Sequence, residues 1–243
     1  MAFIDLMNGD CLELMRSIPD GSIDMILADL PYGTTKNTWD NPLDLDRLWQ
    51  EYNRIIKDNG CIALWAQSPF DKTLACSNLP MYRYEWIIEK THPTGFLNAK
   101  RMPMKAHENV LIFYKKLPTY NPQKTTGHPR KVSTAAHHTE SKKTSNYGEY
   151  DFVSYDSTER YPRDVLKFKW DTQKSKGHAT QKPVAACEYF INTYTNPGDT
   201  VMDNTMGYGS TGVAAKRLGR SFIGIEIDED IFTSARERIE NEK

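Results

Sequence analysis

No stretch of this 243-residue chain is apolar over the ~18–20 residues that a membrane-crossing helix requires, so no span is expected. Cysteine is scarce. Cys11, Cys61, Cys76 and Cys187 lie far apart with no C-x-x-C pair, which excludes a zinc ribbon and a disulfide scaffold. The beginning, Met1-Ala2-Phe3-Ile4-Asp5, lacks a basic segment ahead of an apolar one, and with the unpaired cysteines this gives the expectation of a reducing, cytoplasmic setting. Internal repeats and low-complexity tracts are absent as well. Histidine offers no metal site, because His137-His138 has no acidic or cysteine cluster at ligand spacing. Net charge is nearly missing too, at −1 from 31 Lys+Arg and 32 Asp+Glu.

That balance conceals a division. Residues 80–182 hold 19 Lys and Arg against 10 Asp and Glu, together with all six histidines, while the remainder holds 12 against 22. A basic middle between acidic flanks is the pattern of a chain that presents one face to a polyanion. A solvated polar insertion would give the same count.

Hydrophobic patterning points to an α/β fold. Ser22–Ala28 reads as a buried strand. Leu45, Leu48, Trp49, Tyr52, Ile55 and Ile56 recur at helical spacing up to an Asn59-Gly60 stop, and Cys61–Ala66 is again of strand length. Strand, helix, strand is the signature of a parallel sheet. Tyr84–Ile88 and Asn109–Tyr114 read as further strands. From Lys115 to about Lys176 periodicity is lost, and a stretch of that length is usually functional or disordered. Order resumes with a helix marked by Val184, Cys187, Phe190, Ile191 and Tyr194, closed by Asn196-Pro197-Gly198. A strand at Thr200–Asp203, a helix from Ser210 to about Leu218, a strand at Ser221–Glu226 and a last helix through Ile231, Phe232, Ala235 and Ile239 follow.

Two strings carry chemistry. Gly207-Tyr208-Gly209-Ser210-Thr211-Gly212 fits G-x-G-x-x-G between a strand and a helix, with Glu226 at the end of the next strand, 19 residues beyond Gly207. Such a loop lets a nucleoside approach the backbone, and the acid can accept both ribose hydroxyls. The nucleoside itself stays open. A dinucleotide would set its pyrophosphate on the helix N-terminus, whereas Asp203, just before the loop, suits the cationic sulfonium and amino group of S-adenosylmethionine. The second string, Asp29-Leu30-Pro31-Tyr32, ends a buried strand, where open α/β sheets bind ligands. Asp29 and the Leu30 carbonyl can accept the two hydrogens of an exocyclic amine, Pro31 stiffens the turn, and Tyr32 offers a stacking face worth ~1–3 kcal/mol per base.

Taken together, these strings make the chain resemble the DNA amino-methyltransferases that act on adenine N6 or cytosine N4. It resembles their permuted β-type order, with the catalytic tetrapeptide first, the target-recognition region in the middle and the glycine loop last. Asn8-Gly9-Asp10-Cys11, Asn98-Ala99-Lys100-Arg101, His107-Glu108-Asn109, Tyr120-Asn121-Pro122-Gln123, Tyr161-Pro162-Arg163 and His178-Ala179-Thr180-Gln181-Lys182-Pro183 look like further family strings. Leu30 and Ala179 stand where the family usually has Pro, and Asn204-Thr205-Met206 replaces its usual Pro-Phe-small element.

The resemblance implies a Rossmann-like methyltransferase fold, a mostly parallel doubly wound sheet with a basic, partly irregular insertion. Residues 1–116 would be the catalytic half, 117–176 the target-recognition insertion and 177–243 the cofactor-binding half. The implied cofactor is S-adenosyl-L-methionine, held by Asp10, Lys182, Pro183, Asp203, Gly207, Gly209, Ser210, Thr211 and Glu226, with Lys182-Pro183 at its methionine end. The implied partner is double-stranded DNA, and the resemblance makes a homodimer and a restriction-modification setting plausible. An Asp heading the tetrapeptide is more typical of adenine-N6 members, so adenine is expected and cytosine N4 is the alternative. Lys100, Arg101, Lys105, Arg130, Lys131, Lys142 and Lys143 are the expected DNA contacts, and Tyr147, Tyr150, Phe152 and Tyr155 could stack on bases or pack in a core. An RNA or protein-amide methyltransferase uses similar chemistry. An NAD-type oxidoreductase would leave Asp29–Tyr32 and the basic middle unexplained.

Overall fold

The computed structural model describes residues 2–33, 41–134, 154–169 and 181–242. Its main unit, Met1–Asn121 with Asp164–Lys243, is built on an eight-stranded sheet of order β1-β10-β9-β2-β3-β5-β4-β8. The strands are β1 (Ile4–Asn8), β2 (Ile23–Asp29), β3 (Ile56–Ala66), β4 (Tyr82–Thr94), β5 (Lys105–Phe113), β8 (Val165–Lys167), β9 (Thr200–Asp203) and β10 (Ser221–Glu226). Only β5 opposes its neighbours; every other pair in the sheet is parallel.

The sheet is wound on both faces, and period-two burial explains why its strands read as unbroken apolar runs. Ile26 and Ala28 of β2, with Ile62 and Leu64 of β3, pack towards helices α1 (Cys11–Leu14), α2 (Leu45–Ile55) and α3 (Phe70–Ser77). Met25 and Leu27, with Cys61, Ala63 and Trp65, pack on the opposite face towards α4 (Val184–Tyr194), α5 (Ser210–Arg217) and α6 (Glu229–Glu240). This is the α/β sheet expected from the pattern, doubly wound as the resemblance implies. None of the helices among the described residues is long and apolar enough to cross a membrane.

Local chemistry sets the boundaries. Asp44 caps α2 by accepting from the N–H groups of Asp46 and Arg47, and Asp228 does the same for α6 with Asp230 and Ile231. The stop expected at Asn59-Gly60 is not one: α2 ends at Ile55, and β3 starts at once and runs through both residues. They lie in a bulge, since register passes from Ile23↔Ile56 to Met25↔Cys61. Gly60 is required there because a Cβ would stand 2.9 Å from the Asp24 carbonyl oxygen. Strands β4 and β5 both reach well past the expected Tyr84–Ile88 and Asn109–Tyr114, and their extra length forms a hairpin.

The second unit is Pro122–Arg163. It pairs β6 (Lys131–Ser133) with β7 (Tyr155–Ser157) in antiparallel fashion, adds a bridge between Thr125 and Arg160, and fastens Arg130 to Asp156. Its span is narrower than the expected 117–176 insertion because Val165–Lys167 leaves it to pair with Ile87–Glu89 of β4.

Candidate active site

The two halves of the chain meet at the β2/β9 seam, where Met25 faces Val201 and Ile26 faces Met202. On either side of it the connections run in opposite directions, β2 to β3 one way and β9 to β10 the other, which makes the carboxyl edge here a topological switch point. Asp29 and Asp203 close these neighbouring strands. Thr205 joins them directly, its hydroxyl donating to the Asp29 carbonyl oxygen at 3.0 Å. Residues 176 positions apart thus share one hydrogen bond.

Further along the same edge, Glu226 ends β10. Its Oε2 accepts from the Gly207 N–H at 2.9 Å and its Oε1 from the Asp228 N–H at 3.0 Å, so it pins the glycine loop while keeping spare lone pairs on both oxygens. Asp10 lies just past β1, the next strand, beside the Gly9 N–H that donates to the Glu226 carbonyl. Its own side chain caps α1 through the Leu12 N–H at 2.8 Å. Asp10, Glu226, Asp203 and Asp29 therefore form a row of acids on four adjacent strand ends. From Glu226 to Asp29 is two strand spacings of ~4.8 Å, about 10 Å, the scale of one nucleoside.

The loop's glycines do different work. Gly207 is left-handed (φ +49°) with open space where a Cβ would lie. Gly209 is also left-handed (φ +75°), and a Cβ there would stand 2.8 Å from Ile239. At Gly212 a Cβ would stand 2.5 Å from Ile239 and 2.7 Å from Phe222, so this glycine serves the packing of α5 on α6 and β10. Ser210 and Thr211 are buried, and the Thr211 hydroxyl bonds Asp203. Burial pushes the Asp203 carboxyl up to about 7, against the hydrogen bonds from Thr211 and the Thr205 N–H that pull it down.

Asp29 sits deep among protein atoms, yet its side chain is 32% exposed, as at the floor of a cleft. Its Oδ1 accepts from the Tyr32 hydroxyl at 2.7 Å, and its Oδ2 meets the Lys182 ammonium at 3.0 Å. Lys182 also meets Glu108 at 2.8 Å, and Glu108 meets Lys90 at 2.7 Å. The result is a row of alternating charge, Asp29, Lys182, Glu108, Lys90, in which the last three are nearly buried. Burial holds the Asp29 carboxyl above its ordinary value, opposed by Lys182 and reinforced by Glu108. Glu108 is buried too, but its two lysines outweigh that and hold it below the usual range. Tyr32 stacks on Phe70 with centroids 5.1 Å apart, and Lys182 lies 5.2 Å from the centre of the Trp65 ring.

Leu30 is buried and Pro31 half-buried beside this cluster, and Pro183 precedes the first turn of α4, which carries Lys182 into it. Glu108 lies in the His107-Glu108-Asn109 string, but its link to Lys182 and the part of Lys90 escaped sequence reading, because neither residue is near Asp29 or Lys182 along the chain. Of the expected DNA contacts, Lys100 and Arg101 are exposed at the hairpin tip. Lys105 is tied to Gln67 and the Ser68 carbonyl, Arg130 is paired with Asp156, and Lys131 is exposed near the Tyr155 ring. Lys142, Lys143, Tyr147, Tyr150, Phe152, His137, His138 and the His178–Thr180 part of its string lie outside the described residues. No group of three or more His, Cys, Asp or Glu able to hold a metal is found among the described residues.

A family model described as DNA methylase, for N6 and N4 methyltransferases, matches residues 23–237. The chain belongs to this DNA methylase family. The type II methyltransferase M.HpaI of Haemophilus parainfluenzae is 27% identical to it over 98% of this chain and 74% of its own length. M.HinfI of Haemophilus influenzae is 26% identical over 96% of this chain and 67% of its own length, so this methylase spans about two thirds to three quarters of these relatives. The solved complex of M1.HpyAVI with SAM has the same fold, with a TM-score of 0.65 and 24% identity, covering 97% of this chain and 100% of that one. Sheet order and family agree on one architecture.

Proposed function

We propose that this chain is an S-adenosyl-L-methionine-dependent DNA methyltransferase acting on an exocyclic amine of a flipped base in double-stranded DNA, with adenine N6 as the target. The observation that carries the reading is the Thr205–Asp29 hydrogen bond, which joins the strand end before the glycine loop to the tetrapeptide. The residues present fit the methyl donor: Glu226 keeps lone pairs for ribose hydroxyls, Asp203 and Asp10 suit a cationic tail, and Gly207 leaves open space beside the backbone.

The donor, when bound, supplies an electrophilic methyl group on a cationic sulfonium. Everything else falls to the chain. An amine conjugated with a base ring is a poor nucleophile, and acceptors on both N–H bonds help it pyramidalise. In this reading Asp29 Oδ and the Leu30 carbonyl are those acceptors. Lys182 opposes the burial that raises the Asp29 carboxyl, and the Tyr32 hydroxyl fixes the rotamer of that side chain. The Tyr32 ring, backed by Phe70, provides the stacking wall. Flipping costs a few kcal/mol, offset by stacking and hydrogen bonding in the site, and holding donor and amine in one geometry supplies much of the acceleration. The main unit, residues 1–121 and 164–243, then supplies the acceptor and donor sides, and residues 122–163 read the target, with Lys100, Arg101, Lys131, Lys142 and Lys143 on phosphates.

The test is nucleoside mass analysis of duplex DNA incubated with the chain and labelled donor. N6-methyladenine is expected. N4-methylcytosine would reassign the base, and absence of both would refute the reading. Asp29→Ala should abolish transfer while donor affinity stays within about twofold.

A further inference from the structure

The β4–β5 hairpin does something that the fold does not require. Asp29 is level with Trp65, Trp65 with Val110, and Val110 with Trp86, so Asp29, β5 and β4 can be placed on one scale. Pairing continues from Val110 to Lys105, which at ~3.3 Å per residue carries the hairpin about 16 Å past the level of Asp29. Since β5 and β4 are the second and third strands over from β2, at ~4.8 Å each, the tip stands about 20 Å from Asp29 on the same edge of the sheet. It turns at Gly95 (φ +91°) into a single 3-10 turn, Phe96–Asn98.

The composition of this tip is unusual for a solvated loop. Phe96 is 78% exposed, Leu97 97% and Met102 53%. Large apolar side chains so exposed contribute nothing to the core, and grouped at a projecting tip they mark a contact surface. Between them stand Lys100 and Arg101, and residues 91–104 contain no acid at all. A hairpin whose free end is apolar and cationic together matches the chemistry of side chains that enter a duplex. Phe, Leu and Met intrude between base steps while Lys and Arg hold the flanking phosphates.

We propose that the tip of the β4–β5 hairpin is a duplex-opening wedge: Phe96 and Leu97 intrude among the base pairs flanking the target, and Lys100 and Arg101 grip the adjacent phosphates while the base turns into the Asp29 site. This rests on the DNA methyltransferase reading above and adds a mechanical part to it. The partner is duplex DNA rather than a second copy of the chain, because a self-contact at this tip would bring Lys100 and Arg101 against their own counterparts with no acid between residues 91 and 104 to meet them.

The experiment uses the full chain and a duplex carrying the site that the wild type methylates, mapped on plasmid DNA. A second duplex has the target base opposite an abasic position, so that no pair need be broken. Phe96→Ala/Leu97→Ala is expected to lose at least tenfold in kcat/KM on the intact duplex and to recover to within about threefold of wild type on the pre-opened one. Lys100→Gln/Arg101→Gln is expected to flatten the slope of log binding constant against log salt by about 2, at ~0.9 per phosphate contact. Equal losses on both duplexes, or no loss on either, would overturn the wedge. So would a sedimentation change from dimer to monomer with equal losses, which would make the tip a contact between copies. A wild type that methylates no plasmid DNA would overturn the parent reading and the wedge with it, whereas an active wild type with indifferent tip variants overturns the wedge alone.

Discussion

Replacing Lys182 by Met removes the cation that stands 3.0 Å from Asp29 Oδ2. At an effective dielectric constant of ~20 that contact is worth about 5 kcal/mol as a ceiling. With the Asp29 side chain 32% exposed, solvent screening reduces this. Burial already holds the Asp29 carboxyl above its ordinary value, so losing Lys182 moves its titration further up, towards neutrality. The ionised carboxylate is the better acceptor for the amine, so the acid limb of the kcat/KM profile should shift to higher pH. Below the new midpoint, the rate should fall tenfold per unit. Glu108→Gln should do the opposite, since it removes a like charge and leaves Lys182 to Asp29 alone. Initial rates of tritiated methyl transfer from pH 5 to 9, with circular dichroism at each pH to monitor folding, read both limbs. General loosening of the fold would move both variants the same way. Superimposable limbs, or shifts of the same sign, would refute the charge-row argument.

Asp203 should make donor affinity depend on pH. With its carboxyl at about 7, it is increasingly ionised as pH rises through neutrality, so the dissociation constant for S-adenosylmethionine measured by calorimetry should fall severalfold from pH 6 to 8 and flatten in Asp203→Asn. The same raised value has a stability sign: the folded state holds a proton that the unfolded chain releases near 4, so stability should decline from about pH 4 to 7 and level off above. Denaturant melts of Asp203→Asn should lose that component. Gly212→Ala places a methyl 2.5 Å from Ile239 and 2.7 Å from Phe222, and should cost ~1–3 kcal/mol in chemical denaturation, partly restored by Ile239→Val. Glu226→Ala should weaken donor binding by tenfold or more while Asp29-dependent proton chemistry keeps its pH profile, because it removes both the proposed ribose acceptor and the Gly207 anchor.

Much of this fold was legible because buried parallel strands leave contiguous apolar runs. Ser221–Glu226 and Thr200–Asp203 coincide with observed strands, and the helix read from Val184 to Tyr194 is α4. Where reading failed, the determinants were tertiary. Asn59-Gly60 carries a turn signal, yet the chain continues as a bulged strand because only glycine fits against the Asp24 carbonyl. Strand β8, three residues long, has no periodicity of its own and exists because β4 offers it an edge. The site divides in the same way. Asp29 and the glycine loop announce themselves by context, a strand end and a strand-to-helix turn. Lys90 and Glu108 do not, because a buried charge is identifiable only through its partner, and theirs are brought by a strand pairing and by the approach to α4.

The seam between β2 and β9 is narrow, two facing pairs and a threonine bridge, and it joins residues 25–29 to residues 201–205. A ribosome releases Asp29 long before Thr205 exists, and pairings so distant along the chain are among the slowest to form. Until residues 201–226 have emerged and docked, the nascent polypeptide holds a tetrapeptide with no donor loop beside it. A chain truncated before residue 201 should therefore be inactive rather than partly active, because it lacks β9, β10 and the Thr205 tie to Asp29 on which the proposed transfer depends.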